Sequence, residues 1–366
     1  MITLLFILLI IYTLAIGLFI FGFYKMTKQK HSVFSPKTNF SIVVPFRNEA
    51  ENLPKLLNSI SLLNYPKTLF EVILVDDDSE EELRIMNYEF EIQIVKNKRK
   101  SNSPKKDAIE TAIKTAKHNW IITTDADCLV QKNWLSSFDN FIQEKELKMI
   151  AAGVCYLPKK GFLHDFQTLD FLSLQGATIG SFGINKPFMC NGANFAYRKD
   201  FFIDLHGFDG NATIASGDDV FLLQKGIQHD AKSIGFLYNR DSIVATQSVN
   251  SWKELFMQRV RWAAKSTGYS SLFGKGIALL VFFTNLSWVI IFLLWSLQCF
   301  NQNFFMLFIG IKFLIDLILI MQTSKYFQSK TNWILLGSLF YPFFSTSVAL
   351  YSLFGSYNWK GRRFKK

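Results

Sequence analysis

Two short acidic runs are the residues of this sequence most able to do chemistry. Trp120-Ile121-Ile122-Thr123-Thr124-Asp125-Ala126-Asp127 reads as an apolar strand that delivers two carboxylates, one residue apart, to its C-terminal tip. Open α/β sheets bind ligands at that edge. Such a pair suits one hard divalent cation, and that cation can hold a nucleotide diphosphate. The second run, Ser216-Gly217-Asp218-Asp219, precedes the apolar stretch Val220-Phe221-Leu222-Leu223. Carboxylates at a helix start are favoured by the helix dipole. Taken alone, this pair is better accounted for by capping; the sharper reading makes one of them a general base that takes a proton from a hydroxyl nucleophile. A further acid, Asp76, follows Val72-Ile73-Leu74-Val75. There it can accept hydrogen bonds from a base or ribose, or simply fill a polar turn. Gln258, Arg261 and Trp262 stand at i, i+3 and i+4, on one helix face. An amide, a guanidinium and an indole together suit a phosphate and a sugar ring. The same face also suits anchoring among lipid headgroups.

Alternating strand-like and helix-like stretches must position these groups. Phe40 to Phe46, Glu71 to Val75, Glu91 to Val95 and Trp120 to Thr124 are β-rich apolar runs. Glu49 to Leu63 has helical periodicity, and Pro104 to Lys117 reads as a helix with Pro in its first turn. This order predicts an α/β fold with a mainly parallel, doubly wound sheet. His164 to Gly183 reads equally as a packed helix or one lying on a membrane surface.

Of the 366 residues, 49% are apolar and 38 are Phe, and the excess is concentrated at the two ends. Ile2 to Tyr24 is uncharged and long enough to span a bilayer, which takes about 20 residues. It lacks the basic start and short apolar core of a cleaved signal and is followed by Lys25, Lys28 and Lys30, so it reads as a retained anchor. Three more apolar blocks run from about Ile277 to Phe300, Phe304 to Met321 and Trp333 to Phe354. Lys312 and Asp316 in the second block stand at i,i+4 and could pair, but a tilted or shallow helix is the reading slightly preferred.

Net charge is +11, and the basic flanks predict a plasma-membrane (bacterial inner-membrane) protein with its central region in the cytoplasm. Three C-terminal spans would leave the tail from Lys360 to Lys366 outside. Either one block is re-entrant or interfacial, with Pro342 as the break, or the tail goes against that rule. No nucleic-acid recognition motif accompanies the charge. Cys128, Cys155, Cys190 and Cys299 have no paired spacing, as expected of a reduced compartment, and do not point to a zinc site. The expected organisation is an anchor over 1–24, a catalytic domain over 38–245, an interfacial helix over 246–275, a membrane region over 276–356 and a basic tail over 357–366.

From Phe40 to about Lys265 the sequence resembles the membrane-bound glycosyltransferases of family 2, the group of the cellulose, hyaluronan and ceramide glucosyl synthases. The resemblance is carried by Val44-Pro45-Phe46-Arg47-Asn48-Glu49, Val75-Asp76-Asp77-Asp78-Ser79, Asp125-Ala126-Asp127, Ser216-Gly217-Asp218-Asp219 and Gln258-Arg259-Val260-Arg261-Trp262. It implies the GT-A fold and a role for each motif. Pro45, Arg47, Glu49, Asp76, Asp125 and either Lys105 or Lys106 would bind the donor. Asp127, with Asp125, would ligate Mg²⁺ or Mn²⁺. Asp219 would be the base, with Asp218 in place of the family's Glu. Gln258, Arg261 and Trp262 would hold the diphosphate and acceptor, and Asn191-Gly192 would belong to the acceptor loop. Asp78 stands where the family has Gly.

The implied activity is metal-assisted, inverting transfer of a hexose or N-acetylhexosamine from a nucleotide-sugar, expected to be a UDP-sugar, to a membrane lipid or lipid-linked acceptor. Processive polysaccharide synthesis is the alternative, but three C-terminal blocks supply little of a polymer conduit. A catalytically silent membrane scaffold would dispense with the metal pair and base, and both are present.

Overall fold

The computed structural model describes residues 2–30, 32–80, 85–211, 216–355, 357–359 and 362–364. In chain order the helices are α1 (Ile2–Met26), α2 (Leu53–Ser61), α3 (Pro104–Thr115), α4 (Trp134–Glu144), α5 (Phe162–Gly183), α6 (Lys199–Asp204), α7 (Asp218–Asp230), α8 (Trp252–Ala264), α9 (Leu272–Ser296), α10 (Gln302–Phe327) and α11 (Ile334–Phe354). The strands are β1 (Phe40–Phe46), β2 (Phe70–Asp76), β3 (Glu91–Lys96), β4 (Trp120–Thr123), β5 (Met149–Ala152), β6 (Val154–Tyr156), β7 (Phe195–Arg198), β8 (Ile234–Leu237), β9 (Val244–Thr246), β10 (Tyr357–Trp359) and β11 (Arg362–Phe364). They form two compact units. One holds Gln29–Leu157 and Met189–Gln247, the other Met1–Lys28, Pro158–Phe188 and Ser248–Lys366.

The first unit is built on a seven-stranded sheet in the order β3-β2-β1-β4-β7-β5-β8. β1 lies parallel to β2 and β4, β2 to β3, and β5 to β8, while β7 runs antiparallel between β4 and β5. The sheet is thus mainly parallel, as the βα alternation predicts, with one reversed strand. Ile42, Val43 and Val44 of β1 and Val72, Ile73 and Leu74 of β2 are fully buried. That is what a sheet covered on both faces demands of its central strands. Pro45 is tolerated in central β1 because the β1–β4 register ends at Val43↔Thr123, so the missing N–H falls beyond that ladder. The helix expected from Glu49 begins only at Leu53. Asn48 is left-handed at φ 53°, and Pro54 takes the first-turn position that suits it. The outer edge of β8 is covered by the Gln29 side chain, whose amide donates to Phe236 O at 3.1 Å and accepts from Tyr238 N at 3.2 Å.

The second unit is helical. Among the described residues, α1, α9, α10 and α11 are each long and apolar enough to cross a membrane. Pro158–Phe188, expected within the catalytic stretch, belongs here instead. Its helix α5 buries residues on all sides, from His164 to Gly183, and packs closely on α1. A Cβ on Gly180 would sit 2.4 Å from Phe19 O, and one on Gly183 only 1.9 Å from Gly22 O.

Two expectations need correcting. Lys312 and Asp316 do pair, at 2.7 Å, and Asp316 also accepts from the Tyr12 hydroxyl at 2.7 Å. Burial makes an unpaired charge there far costlier than a paired one, which is why the one-turn spacing closes into a bridge. Nor does Pro342 break its helix, for α11 continues unbroken to Phe354.

Candidate active site

Asp76 ends β2, and Asp125 and Asp127 follow β4. β2 and β4 flank β1, so the two groups of acids leave the same sheet edge about 10 Å apart, two strand spacings. The turn after β2 is tied down locally. Ser79 N donates to Asp76 Oδ1 at 2.9 Å, and Asp78 takes φ 66°. This is the left-handed position where glycine is usual, and a short polar residue tolerates it. Arg47 Nη1 donates to Asp77 O at 3.0 Å and lies 3.7 Å from Asp78. Asn48 and the turn exchange hydrogen bonds with Ser79 Oγ at 3.0 Å and Glu80 N at 2.9 Å. Arg47 therefore staples the β1 and β2 ends to each other. Glu49 accepts from Asn52 Nδ2 at 2.7 Å. Asp77 is buried and accepts from Asn97 at 2.7 Å, which marks it as part of the frame.

The sequence does not distinguish Lys105 from Lys106, but α3 turns them about 100° apart. Lys105 Nζ bonds Asp125 Oδ1 at 2.6 Å and lies 3.5 Å from Asp218 Oδ2. Burial alone would lower its pKa. The carboxylates of Asp125, Asp218 and Asp219 outweigh burial and raise it, so the ammonium stays charged. Lys106 is fully buried, donates to Asn211 O at 2.7 Å and lies over the Phe221 ring at 4.9 Å. Lys105 is thus the lysine that bridges Asp125 and Asp218.

Gly217 turns the chain into α7 with φ 86°. This aims Asp218 inward, where it is buried, and leaves Asp219 partly exposed. Asp219 Oδ2 accepts from Gly192 N at 2.9 Å and Oδ1 from Val220 N at 2.7 Å. A Cβ on Gly192 would come 2.9 Å from Asp218 Oδ2 and 3.4 Å from Lys105 Nζ. Glycine is thus what lets this loop close on the acids. Asn191 shapes the loop by accepting from Ala193 N at 3.0 Å, and Thr123 Oγ1 donates to Gly192 O at 2.8 Å. Lys105, Asp125, Asp218, Asp219 and Gly192 therefore form one cluster, contributed by α3, the β4 tip, α7 and the loop before β7.

Asp127 Oδ2 accepts from Thr246 Oγ1 at 3.2 Å. Thr246 escaped the sequence reading because β9 lies far along the chain. Tyr197 escaped it too. Its hydroxyl is buried without a hydrogen-bond partner, and burial, then the nearby Asp218, raises its pKa. Asp125 and Asp127 fit a hard divalent cation that a diphosphate and water complete. They do not fit an all-protein cage, since no cluster of three His, Cys, Asp or Glu side chains occurs among the described residues. Cys128 is no rival nucleophile, for burial first and then Asp127 and Asp125 hold its thiol well above the usual range.

Gln258, Arg261 and Trp262 lie on α8 of the helical unit. Arg259 between them is buried. Arg259 Nη1 donates to Gln258 Oε1 at 2.5 Å, and its guanidinium lies 4.1 Å from the Trp262 ring centre.

A mainly parallel sheet with acids at its strand tips, in a chain that also has four helices long and apolar enough to cross a membrane, defines an α/β protein with membrane-length helices. Residues 41–205 match the model of glycosyl transferase family 2, and the chain carries a domain of that family. The poly(ribitol-phosphate) beta-N-acetylglucosaminyltransferase TarS of Staphylococcus aureus is 31% identical over 116 residues, 29% of this chain and 19% of that protein. The chain thus spans about a fifth of that relative's length. Glycosyltransferase AglE of Haloferax volcanii is 23% identical over 233 residues, 58% of this chain and 73% of that protein. Among solved structures, mannosyltransferase PcManGT from Pyrobaculum calidifontis, in complex with GDP-Man and Mn²⁺, shares the fold. Its TM-score is 0.53 at 13% identity, with 96% of this chain and 98% of that one covered.

Proposed function

We propose that this protein transfers a hexose or N-acetylhexosamine from a nucleotide-sugar, with inversion, to a hydroxyl of a membrane lipid or lipid-linked acceptor. The observation that carries this reading is the Lys105 bridge. It joins Asp125 at the β4 tip to Asp218 of the α7 acid pair. Candidate donor-side and base-side carboxylates thereby meet around one cation. The name of the Staphylococcus aureus relative, an N-acetylglucosaminyltransferase, and the GDP-Man and Mn²⁺ of the archaeal structure support a nucleotide-sugar donor and a divalent ion. The four membrane-length helices support a lipid-borne acceptor.

Asp76 accepts hydrogen bonds from the base or ribose, in a turn that Arg47 holds in place. Pro45 and Glu49 shape the neighbouring strand end. Asp127 and Asp125 hold Mg²⁺ or Mn²⁺, which when bound neutralises charge on the departing diphosphate. Lys105 supplies a second positive charge beside it. Asp219 takes the proton of the acceptor hydroxyl. The acceptor oxygen forms its bond to the anomeric carbon as the bond from that carbon to the diphosphate breaks, and the electron pair leaves with the nucleoside diphosphate. One displacement turns an α-linked donor into a β-linked product. Asn191 and Gly192 border the acceptor, while Gln258, Arg261 and Trp262 hold the diphosphate and acceptor. Lys25, Lys28 and Lys30 after α1 favour a cytoplasmic catalytic unit.

Asp219→Asn tests the base directly. Transfer should fall by about 10²–10⁴-fold, while nucleoside diphosphate binding, measured calorimetrically with Mn²⁺, stays near that of the parent. Near-parental transfer by this variant would remove Asp219 from the mechanism.

A further inference from the structure

The residue between the predicted contacts on α8 is more deeply anchored than any of them. Arg259 is 5% exposed and Asp170, in the middle of α5, is 6% exposed. Arg259 Nε and Asp170 Oδ2 are 2.5 Å apart. The same guanidinium donates from Nη1 to Gln258 Oε1 at 2.5 Å and lies 4.1 Å from the Trp262 ring centre. Phe171, next to Asp170, meets that indole with ring centres 6.1 Å apart. One buried side chain therefore touches two of the three residues that the proposed function assigns to the diphosphate and acceptor, and α5 fixes it from below.

The chemistry of this arrangement is specific. A Gln amide can turn either end outward. With Oε1 held by a cationic donor, its nitrogen is the end left to donate to a ligand. Gln258 is partly exposed, so it presents an N–H donor suited to a phosphate oxygen or a sugar hydroxyl. The indole is held at the same time, since a guanidinium stacks on an aromatic face. Neither constraint holds unless the guanidinium is fixed, and a buried guanidinium needs a carboxylate.

Resting on that functional reading, we infer that Asp170 is a positioning residue for transfer. Through Arg259 it sets the polarity of the Gln258 amide and the orientation of the Trp262 ring, and it touches no substrate itself.

The test uses the full chain in lipid nanodiscs, labelled with 5-fluorotryptophan, with the Trp262 resonance identified from Trp262→Phe. Asp170→Asn should shift that resonance and lower kcat/KM for the donor about ten- to hundredfold, the scale on which small misplacements act. Asp170→Glu should restore part of the loss. In a Gln258→Ala background the Asp170→Asn penalty should shrink, because the two changes act through one contact. Should Asp170→Asn alone fail to fold, Asp170→Asn with Arg259→Gln removes both buried charges. That double variant should fold and still transfer poorly. Parental kcat/KM in it would reduce the pair to a structural strut and overturn the inference. So would an unmoved Trp262 resonance in Asp170→Asn, or full additivity with Gln258→Ala. If the parent transfers no sugar from any donor, the functional reading fails separately. The fluorine spectrum then decides whether Asp170 orients Trp262.

Discussion

Lys105 and Lys106 show what one helical step does to two like residues. Both sit in the first turn of α3, yet one faces three carboxylates and the other is sealed over Phe221. Lys105→Met would leave Asp125 and Asp218 facing each other without their shared cation. The variant should unfold at a lower temperature than the parent, and added Mn²⁺ should raise its midpoint more than the parent's. Equal midpoints with and without the ion would mean that the bridge contributes nothing. Asp127→Asn should raise the Mn²⁺ concentration needed for half-maximal transfer about tenfold or more, since second-row support such as Thr246 cannot replace a carboxylate ligand. An unchanged cation requirement would take Asp127 out of the site. The acids themselves were legible in the sequence because each follows a β-rich run or precedes an apolar helix, and such places face a sheet edge. Thr246, Tyr197 and Asp170 were not legible. Each gains its meaning from a partner far along the chain or from an orphaned hydroxyl, as in the Thr246–Asp127 contact 119 residues apart and the Asp170–Arg259 contact 89 apart.

At the scale of elements, α5 departs most from its sequence. Its sequence suits a packed or a surface-lying helix, and it packs, but within the helical unit rather than the sheet unit. Periodicity gave no warning, because a helix buried all round has no polar face to reveal its surroundings. The close approach to α1 depends on small residues, as in many helix pairs of membrane proteins. Gly183→Ala forces a methyl group against Gly22 O. It should destabilise the protein by about 1–3 kcal/mol, read as a drop in unfolding midpoint in detergent. Parental stability would contradict the contact.

The start of α5 carries a pH-sensitive group. Burial holds the His164 imidazole below its ordinary range, with Asp165 opposing and Lys159 adding to the shift. Unfolded, this His takes up a proton near pH 6.5, and folded it does so only at lower pH. Its contribution is therefore complete above about pH 6.5 and lost as pH falls toward the folded value. Between pH 7.5 and 5.5 the parent should lose more stability than His164→Gln. Parallel melting curves across that range would rule this out. Strands β1 to β4 and the four membrane-length helices, by contrast, were legible as elements, because long apolar or β-branched runs leave little choice of structure, whereas the short strands from β5 onward were not.

The whole molecule combines a mainly parallel sheet unit with a unit of membrane-length helices and carries a net charge of +11. In the proposed orientation the short α9–α10 connection lies across the membrane from the catalytic unit. It contains Cys299, which is exposed. With the other cysteines replaced by Ser, Cys299 should react with a membrane-impermeant maleimide in intact cells. Protection there, with labelling only after lysis, would reverse the orientation. The central claim is sugar transfer to a lipid-borne acceptor, and the most direct test supplies radiolabelled UDP-glucose, UDP-N-acetylglucosamine and GDP-mannose to the protein in native-lipid vesicles. Mn²⁺ or EDTA is added, and Asp219→Asn runs in parallel. The account predicts that one donor labels the organic extract, only with the divalent ion and not with the variant. Label confined to high-molecular-weight polymer, or equal in parent and Asp219→Asn, would contradict it.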